Sequence, residues 1–219
     1  MTLRPGSGRA LRPGSGLAPA VFLDRDGTMI EDVGYLDSLS RVAFYPWTVD
    51  AIRALNRAGL PVVVVTNQSG IARGLFSEAF VDETHRDIDA RLAAGGARVD
   101  AYYYCPHHPK GTVAAYARGC ECRKPGRGMI DRAASDLGLD PARSFVVGDK
   151  WLDVQLGRAV GARAILVRTG MGAAEEMRPP ENVTADAVVD NLAAAASWIL
   201  SSLKSQVSRL KSEVCNRAI

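Results

Sequence analysis

Along most of the chain, short apolar runs alternate with longer stretches in which apolar residues return every three or four positions. The runs AVFLD (20–24), PVVVVTN (61–67), AYYYC (101–105), SFVVGD (144–149), RAILVRTG (163–170) and DAVVD (186–190) are rich in β-branched and aromatic residues, and they predict strands. The periodic stretches predict helices over 48–58, 77–94, 128–137 and 151–160. Three of them are followed by Gly59, Gly138 and Gly161, suited to the left-handed residue that closes a helix. Alternating strands and helices require right-handed crossovers and so a mostly parallel sheet. PVVVV has no polar alternation, as expected of a strand covered on both faces.

The two ends break this pattern. Residues 1–19 hold a short duplication, LRPGSG at 3–8 and 11–16, and are expected to form a disordered leader, because so polar and Gly/Pro-rich a segment buries too little surface to offset its ordering entropy. Over 193–219, Ala193, Ala196, Leu200, Leu203, Val207, Leu210 and Val214 recur with heptad-like spacing among Lys204, Arg209, Lys211 and Glu213. An amphipathic helical extension is expected there. It could pack on its own domain, associate with a second copy or lie on a membrane surface. Residues 20–192 are left as the folded domain.

Composition sets bounds on this picture. With 219 residues, 47% hydrophobic and 23% charged, the chain suits one globular domain. A net charge of +3, with no Lys/Arg block inside the body, gives no electrostatic case for nucleic acid. No continuous apolar stretch resembles a secretory signal or a membrane span, so a cytoplasmic protein with no membrane insertion is expected.

In an open parallel sheet, ligands bind beyond the carboxyl ends of the strands. Asp24 follows AVFL, Thr66 and Asn67 follow VVVV, and Asp149 follows FVVG, so these polar residues can converge. In Asp24-Arg25-Asp26-Gly27-Thr28 one carboxylate can attack while the other handles protons, and Gly27 lets the backbone turn sharply away. Taken singly, the string also fits a polar loop or a cation site without catalysis, Thr66 to Gly70 a capping turn, Lys124 a solvated lysine, and Asp149 a helix cap. In order and together they supply what phosphoryl transfer needs: a hydroxyl donor, a cation and a metal ligand. Of four cysteines, Cys105, Cys120 and Cys122 share one segment with His107 and His108, whereas Cys215 stands apart. Three thiols and an imidazole suffice for a closed tetrahedral zinc site, the other reading being reduced cysteines in an ordered loop. His107 fits the spacing better than His108. The loop runs straight into Arg123 and Lys124, so clamping it would fix two cations against an anionic substrate.

The order DxDGT, a strand ending in Thr-Asn, a lysine and then GDxxxD resembles the haloacid dehalogenase superfamily of aspartate-nucleophile phosphatases over about residues 20–190. The strings DRDGT, DxGY, VTNQSGIARG, YYCPHHP, CRKP and GDK, with the long loop PKGTVAAYARG, are similar to its D-glycero-D-manno-heptose 1,7-bisphosphate phosphatases, relatives of the histidinol-phosphate phosphatase domain. The resemblance implies an α/β, Rossmann-like three-layer fold with a central mostly parallel sheet, a minimal cap and a zinc-binding loop at 105–122. It implies Asp24 as nucleophile, Asp26 as the acid that protonates the departing alcohol and then activates water, and Thr66 and Lys124 as holders of the phosphoryl oxygens. Magnesium would sit on Asp24, the Asp26 carbonyl and Asp149, with Asp153 as an auxiliary, and zinc on Cys105, His107, Cys120 and Cys122. Asp32, Gly34, Tyr35, Thr66, Asn67, Gln68, Ser69, Arg123, Lys124 and Lys150 would contact the substrate, Arg123 through a second phosphate. The implied partner is a small phosphorylated sugar, and the implied reaction is removal of the C7 phosphate of the heptose bisphosphate for nucleotide-activated heptose synthesis. Independently of the resemblance, a monomer is expected, with self-association through the C-terminal helix as the alternative that its spacing leaves open. Histidinol phosphate or another phosphosugar is the neighbouring alternative, and a non-catalytic phosphosugar-binding scaffold the distant one.

Overall fold

The computed structural model describes residues 4–5 and 17–216, with side chains over 17–205. Six parallel strands form the sheet: β2 (Val21–Leu23), β3 (Val62–Asn67), β4 (Ala101–Cys105), β5 (Phe145–Gly148), β6 (Arg163–Val167) and β7 (Ala187–Val189). A two-residue strand β1 (Arg4–Pro5) pairs antiparallel with β4, giving the order β1-β4-β3-β2-β5-β6-β7. The helices are α1 (Thr48–Arg57), α2 (Glu78–Ala94), α3 (Gly128–Leu137), α4 (Trp151–Ala159), α5 (Gly172–Glu176) and α6 (Leu192–Asn216).

The uninterrupted apolar strands are explained by the layers on either side. In β3, Val62 and Val64 join one core with Ile52 and Leu55 of α1, Ile88 and Leu92 of α2, and Ile199 of α6. Val63 and Val65 join the opposite core with Met129 and Ile130 of α3 and Leu156 of α4. Each fully buried aliphatic contributes about 1.5–3 kcal/mol of transfer free energy, so the alternation of faces, not of polarity, organises these strands. The expected glycines close their helices: Gly59, Gly138 and Gly161 all have positive φ. Ser77 opens α2 by accepting from Phe80 N–H.

The terminal helix is part of the body. Leu192, Ala195, Ala196 and Ile199 are buried in the core, and Ala193, Leu200 and Leu203 pack against it. The side chains of Val207, Leu210, Val214 and Cys215, and most of the LRPGSG duplication, lie outside the described residues. No helix among the described residues is long and apolar enough to cross a membrane.

Because β3 and β5 flank β2 on opposite sides, the chain direction reverses there, and a crevice opens at the carboxyl ends of these three strands. Among the described residues, the segments that follow β2 and β3 hold no inserted domain.

Candidate active site

Asp24 caps β2 and donates its backbone N–H to Val147 O of β5 at 2.9 Å, which aims the side chain into the crevice. It is 5% exposed, and so is Lys124. Lys124 Nζ donates to Asp24 Oδ1 at 2.7 Å and to Asp153 Oδ1 at 2.6 Å. Burial raises the Asp24 pKa, with Lys124 opposing it. For Lys124 burial works against the charge, but Asp153 and Asp24 outweigh it, and its pKa rises. The lysine therefore stays cationic in a nearly dry site, where a charge acts most strongly.

Asp149 follows β5 and is fully buried. Its Oδ2 accepts from Met171 N–H at 2.8 Å, whereas Oδ1 is buried with no hydrogen-bond partner. Burial first, and then the Asp24 charge, push its pKa up to about 7. A carboxylate oxygen without a partner, beside other carboxylates, is the arrangement a hard divalent cation would complete. One oxygen each from Asp24, Asp149 and Asp153 lie within 4.8 Å of one another, so this group could hold a metal ion. Two glycines make room for it: a Cβ on Gly27 or Gly170 would fall 2.2 or 2.3 Å from Asp149 Oδ2.

Asp26 is reached from three residues. Arg25 Nε and Nη2 donate to its two oxygens at 3.1 Å, Gln68 Nε2 donates to Oδ2 at 3.0 Å, and Thr66 Oγ1 lies 3.5 Å from Oδ2. The crevice is further lined by Asp32, Gly34, Tyr35, Asn67, Ser69 and Lys150, so most of the expected substrate contacts do converge. Lys150 Nζ donates to Asp32 Oδ2 at 3.0 Å across the rim. Asn67 faces the crevice, but its amide clamps a backbone: Oδ1 accepts from Lys124 N–H at 3.0 Å and Nδ2 donates to Lys124 O at 3.4 Å. Arg123 is not among the lining residues; it donates to His107 O at 3.3 Å.

The cysteine loop gathers as its composition suggests. Cys105 Sγ lies 3.4 Å from Cys120 Sγ and 3.2 Å from Cys122 Sγ, and His107 Nδ1 lies 3.4 Å from Cys122 Sγ. A tetrahedral zinc with Zn–S bonds near 2.3 Å would hold sulfurs about 3.8 Å apart, so the cluster needs to open by only about half an ångström to accept one. Hydrogen bonds from Cys105 first, and from Cys120 and His107, pull Cys122 down to about 5, which suits a thiolate ligand. His107 supplies Nδ1, while the half-buried His108 turns its own Nδ1 to Lys110 N–H.

Several contributors were not expected from sequence. Arg25, inside the DxD string, is a buried partner of Asp26. The turn after β6 closes over the site: Thr169 Oγ1 donates to Gly27 O at 2.6 Å, and Met171 N–H holds Asp149. RTGMG holds the signal in its paired glycines, but their purpose shows only once Asp149 lies between Gly27 and Gly170.

A parallel sheet with a buried aspartate at the switch point, a lysine ion-paired to it and a second carboxylate after the fifth strand defines the phosphatases of the haloacid dehalogenase class. The family model described as HAD-hydrolase-like matches residues 121–195, and that for polynucleotide kinase 3 phosphatase matches residues 20–157. The chain is 43% identical over 197 residues to the D-glycero-beta-D-manno-heptose-1,7-bisphosphate 7-phosphatase of Salmonella typhi, covering 89% of this chain and 96% of that one. It is 44% identical over 177 residues to the enzyme of that name from Escherichia coli K12, covering 80% and 90%. The crystal structure of D,D-heptose 1,7-bisphosphate phosphatase from B. bronchiseptica, complexed with magnesium and phosphate, superposes with a TM-score of 0.75 at 35% identity over 84% of this chain and 99% of that one. The chain belongs to the heptose-1,7-bisphosphate 7-phosphatase family.

Proposed function

We propose that this protein hydrolyses the C7 phosphate of D-glycero-β-D-manno-heptose 1,7-bisphosphate, releasing heptose 1-phosphate and inorganic phosphate for nucleotide-activated heptose synthesis. The observation that carries the reading is the buried Asp24–Lys124 pair at 2.7 Å, beside Asp149 with its unpartnered oxygen, in a chain 43% identical to a phosphatase named for this substrate.

Lys124 holds Asp24 Oδ1, so attack on phosphorus falls to Oδ2. As the new O–P bond forms, the bond to the C7 oxygen breaks, and Asp26 gives that oxygen a proton. Asp26 then takes a proton from water, whose oxygen displaces Asp24 from phosphorus and frees phosphate. Thr66 and Lys124 hold phosphoryl oxygens through both steps. Magnesium, held by Asp24, Asp149 and the Asp26 carbonyl, would neutralise phosphate charge when bound. Asp32, Gly34, Tyr35, Gln68, Ser69 and Lys150 form the sugar side of the crevice. Asn67 acts through Lys124, whose backbone it grips at both ends. Arg123 would have to turn from His107 O to meet the second phosphate.

Zinc on Cys105, His107, Cys120 and Cys122 would be structural: all four positions are protein atoms, leaving no open site for chemistry. It would stiffen the loop that delivers Lys124. We expect a cytoplasmic enzyme that works as a monomer, since α6 turns its described apolar side chains onto its own sheet.

A phosphate-release screen over both heptose bisphosphate anomers and histidinol phosphate, with magnesium present, tests the reading. Preferential release from the β anomer supports it. Release from histidinol phosphate alone would overturn the substrate, and release from none would overturn the activity.

A further inference from the structure

Arg25 stands between the two carboxylates of the turn and is 2% exposed, a burial that a guanidinium tolerates when its charge is matched. Its Nε and Nη2 donate to Asp26 Oδ2 and Oδ1, both at 3.1 Å. Two parallel bonds fix the plane of a carboxylate as well as its position, which a single ammonium contact does not. The guanidinium is itself held from behind. Its Nη1 meets His85 Nε2 of α2 at 3.4 Å, His85 stacks on Tyr102 at 4.3 Å, and Tyr102 donates to Asp89 at 2.7 Å. The fork therefore cannot swing without disturbing α2 and β4.

The contacts divide the two oxygens of Asp26 unequally. Oδ2 accepts from Arg25 Nε and Gln68 Nε2 and faces Thr66 Oγ1, while Oδ1 accepts from Arg25 Nη2 alone. Oδ1 is thus the oxygen left to exchange a proton with the substrate or with water. We propose that Arg25 is a positioning residue: through its fork, braced by His85, it sets the orientation in which Asp26 Oδ1 meets the leaving oxygen. The inference rests on Asp26 being the acid of the proposed reaction. Misplacing a reacting group by about 1 Å costs about 10²-fold in rate, so orientation of this kind is measurable.

Two substrates separate positioning from a general loss of structure. A sugar alkoxide leaves phosphorus only with a proton, whereas p-nitrophenolate leaves without one. In single turnovers with magnesium, Arg25→Met is expected to slow release of heptose 1-phosphate from the bisphosphate by about 10²-fold, while the nitrophenolate burst from p-nitrophenyl phosphate stays within about threefold of the parent. Arg25→Lys, which restores the charge without the fork, is expected to remain slow with the sugar, and it carries the same test should Arg25→Met fail to fold. Equal losses on both substrates, or full recovery with lysine, would overturn the proposal. Asp26→Asn keeps the two readings apart. If it slows both releases equally, the acid assignment falls; if it is selective and the Arg25 variants are not, the role of Arg25 falls alone. A parent enzyme inactive on the bisphosphate would overturn the substrate before either comparison.

Discussion

Gly170→Ala probes the geometry around Asp149 directly. Gly170 has φ +56°, and a Cβ there would lie 2.3 Å from Asp149 Oδ2 and 2.6 Å from Gly27 Cα. Gly138 has φ +65° at the end of α3, and a Cβ there would meet nothing within 4 Å. The two substitutions therefore share the left-handed backbone penalty of about 1–2 kcal/mol, and only Gly170→Ala adds an overpacking cost of about 1–3 kcal/mol. Relief of that contact is expected to turn the Asp149 carboxylate off Met171 N–H. Urea unfolding of the two variants should differ by about 1–3 kcal/mol. Phosphate release measured against magnesium concentration should show Gly138→Ala near the parent, and Gly170→Ala needing more magnesium with a turnover about 10²-fold lower. Equal stabilities together with an unchanged magnesium requirement would refute the assignment of Asp149 as a metal ligand confined between two glycines.

Asp24→Asn should abolish the trapped phospho-enzyme and reduce turnover to background in a phosphate-release assay. Cys122→Ser should lower zinc, counted by elemental analysis of the purified protein, from about one ion per chain, and lower the melting temperature with it. Ile199→Ala removes a fully buried side chain of α6 and should cost about 2–5 kcal/mol in urea unfolding, as only a helix integral to the core would. Ser144 accepts from Ala20 N–H at 2.9 Å in a buried position, so Ser144→Ala should cost about 1–3 kcal/mol by leaving that donor unpaired.

Local rules carried much of the fold. The strand runs and their bounding glycines were legible because β-branched density and positive-φ caps act over a few residues. The convergence of Asp24, Thr66, Lys124 and Asp149 was legible for a topological reason, since parallel strands deliver their carboxyl ends to one edge. Contacts between distant segments were not legible. Asn67 reads as a phosphate neighbour until Lys124 arrives beside it, 57 residues on. Gly170 reads as a turn glycine until Asp149 occupies the space a side chain would need. Arg25 reads as a spacer in a motif, because the periodicity of a loop carries no record of burial. Heptad spacing over 193–219 shows the same limit: it describes a helix with an apolar side, but not which surface that side meets.

Phosphorus NMR of the purified protein with D-glycero-β-D-manno-heptose 1,7-bisphosphate and magnesium follows each phosphate of the substrate separately. The C7 resonance is expected to be lost in step with the rise of inorganic phosphate while the C1 resonance persists. Loss of the C1 resonance first, or an unchanged spectrum under conditions in which histidinol phosphate is consumed, would contradict the proposed function.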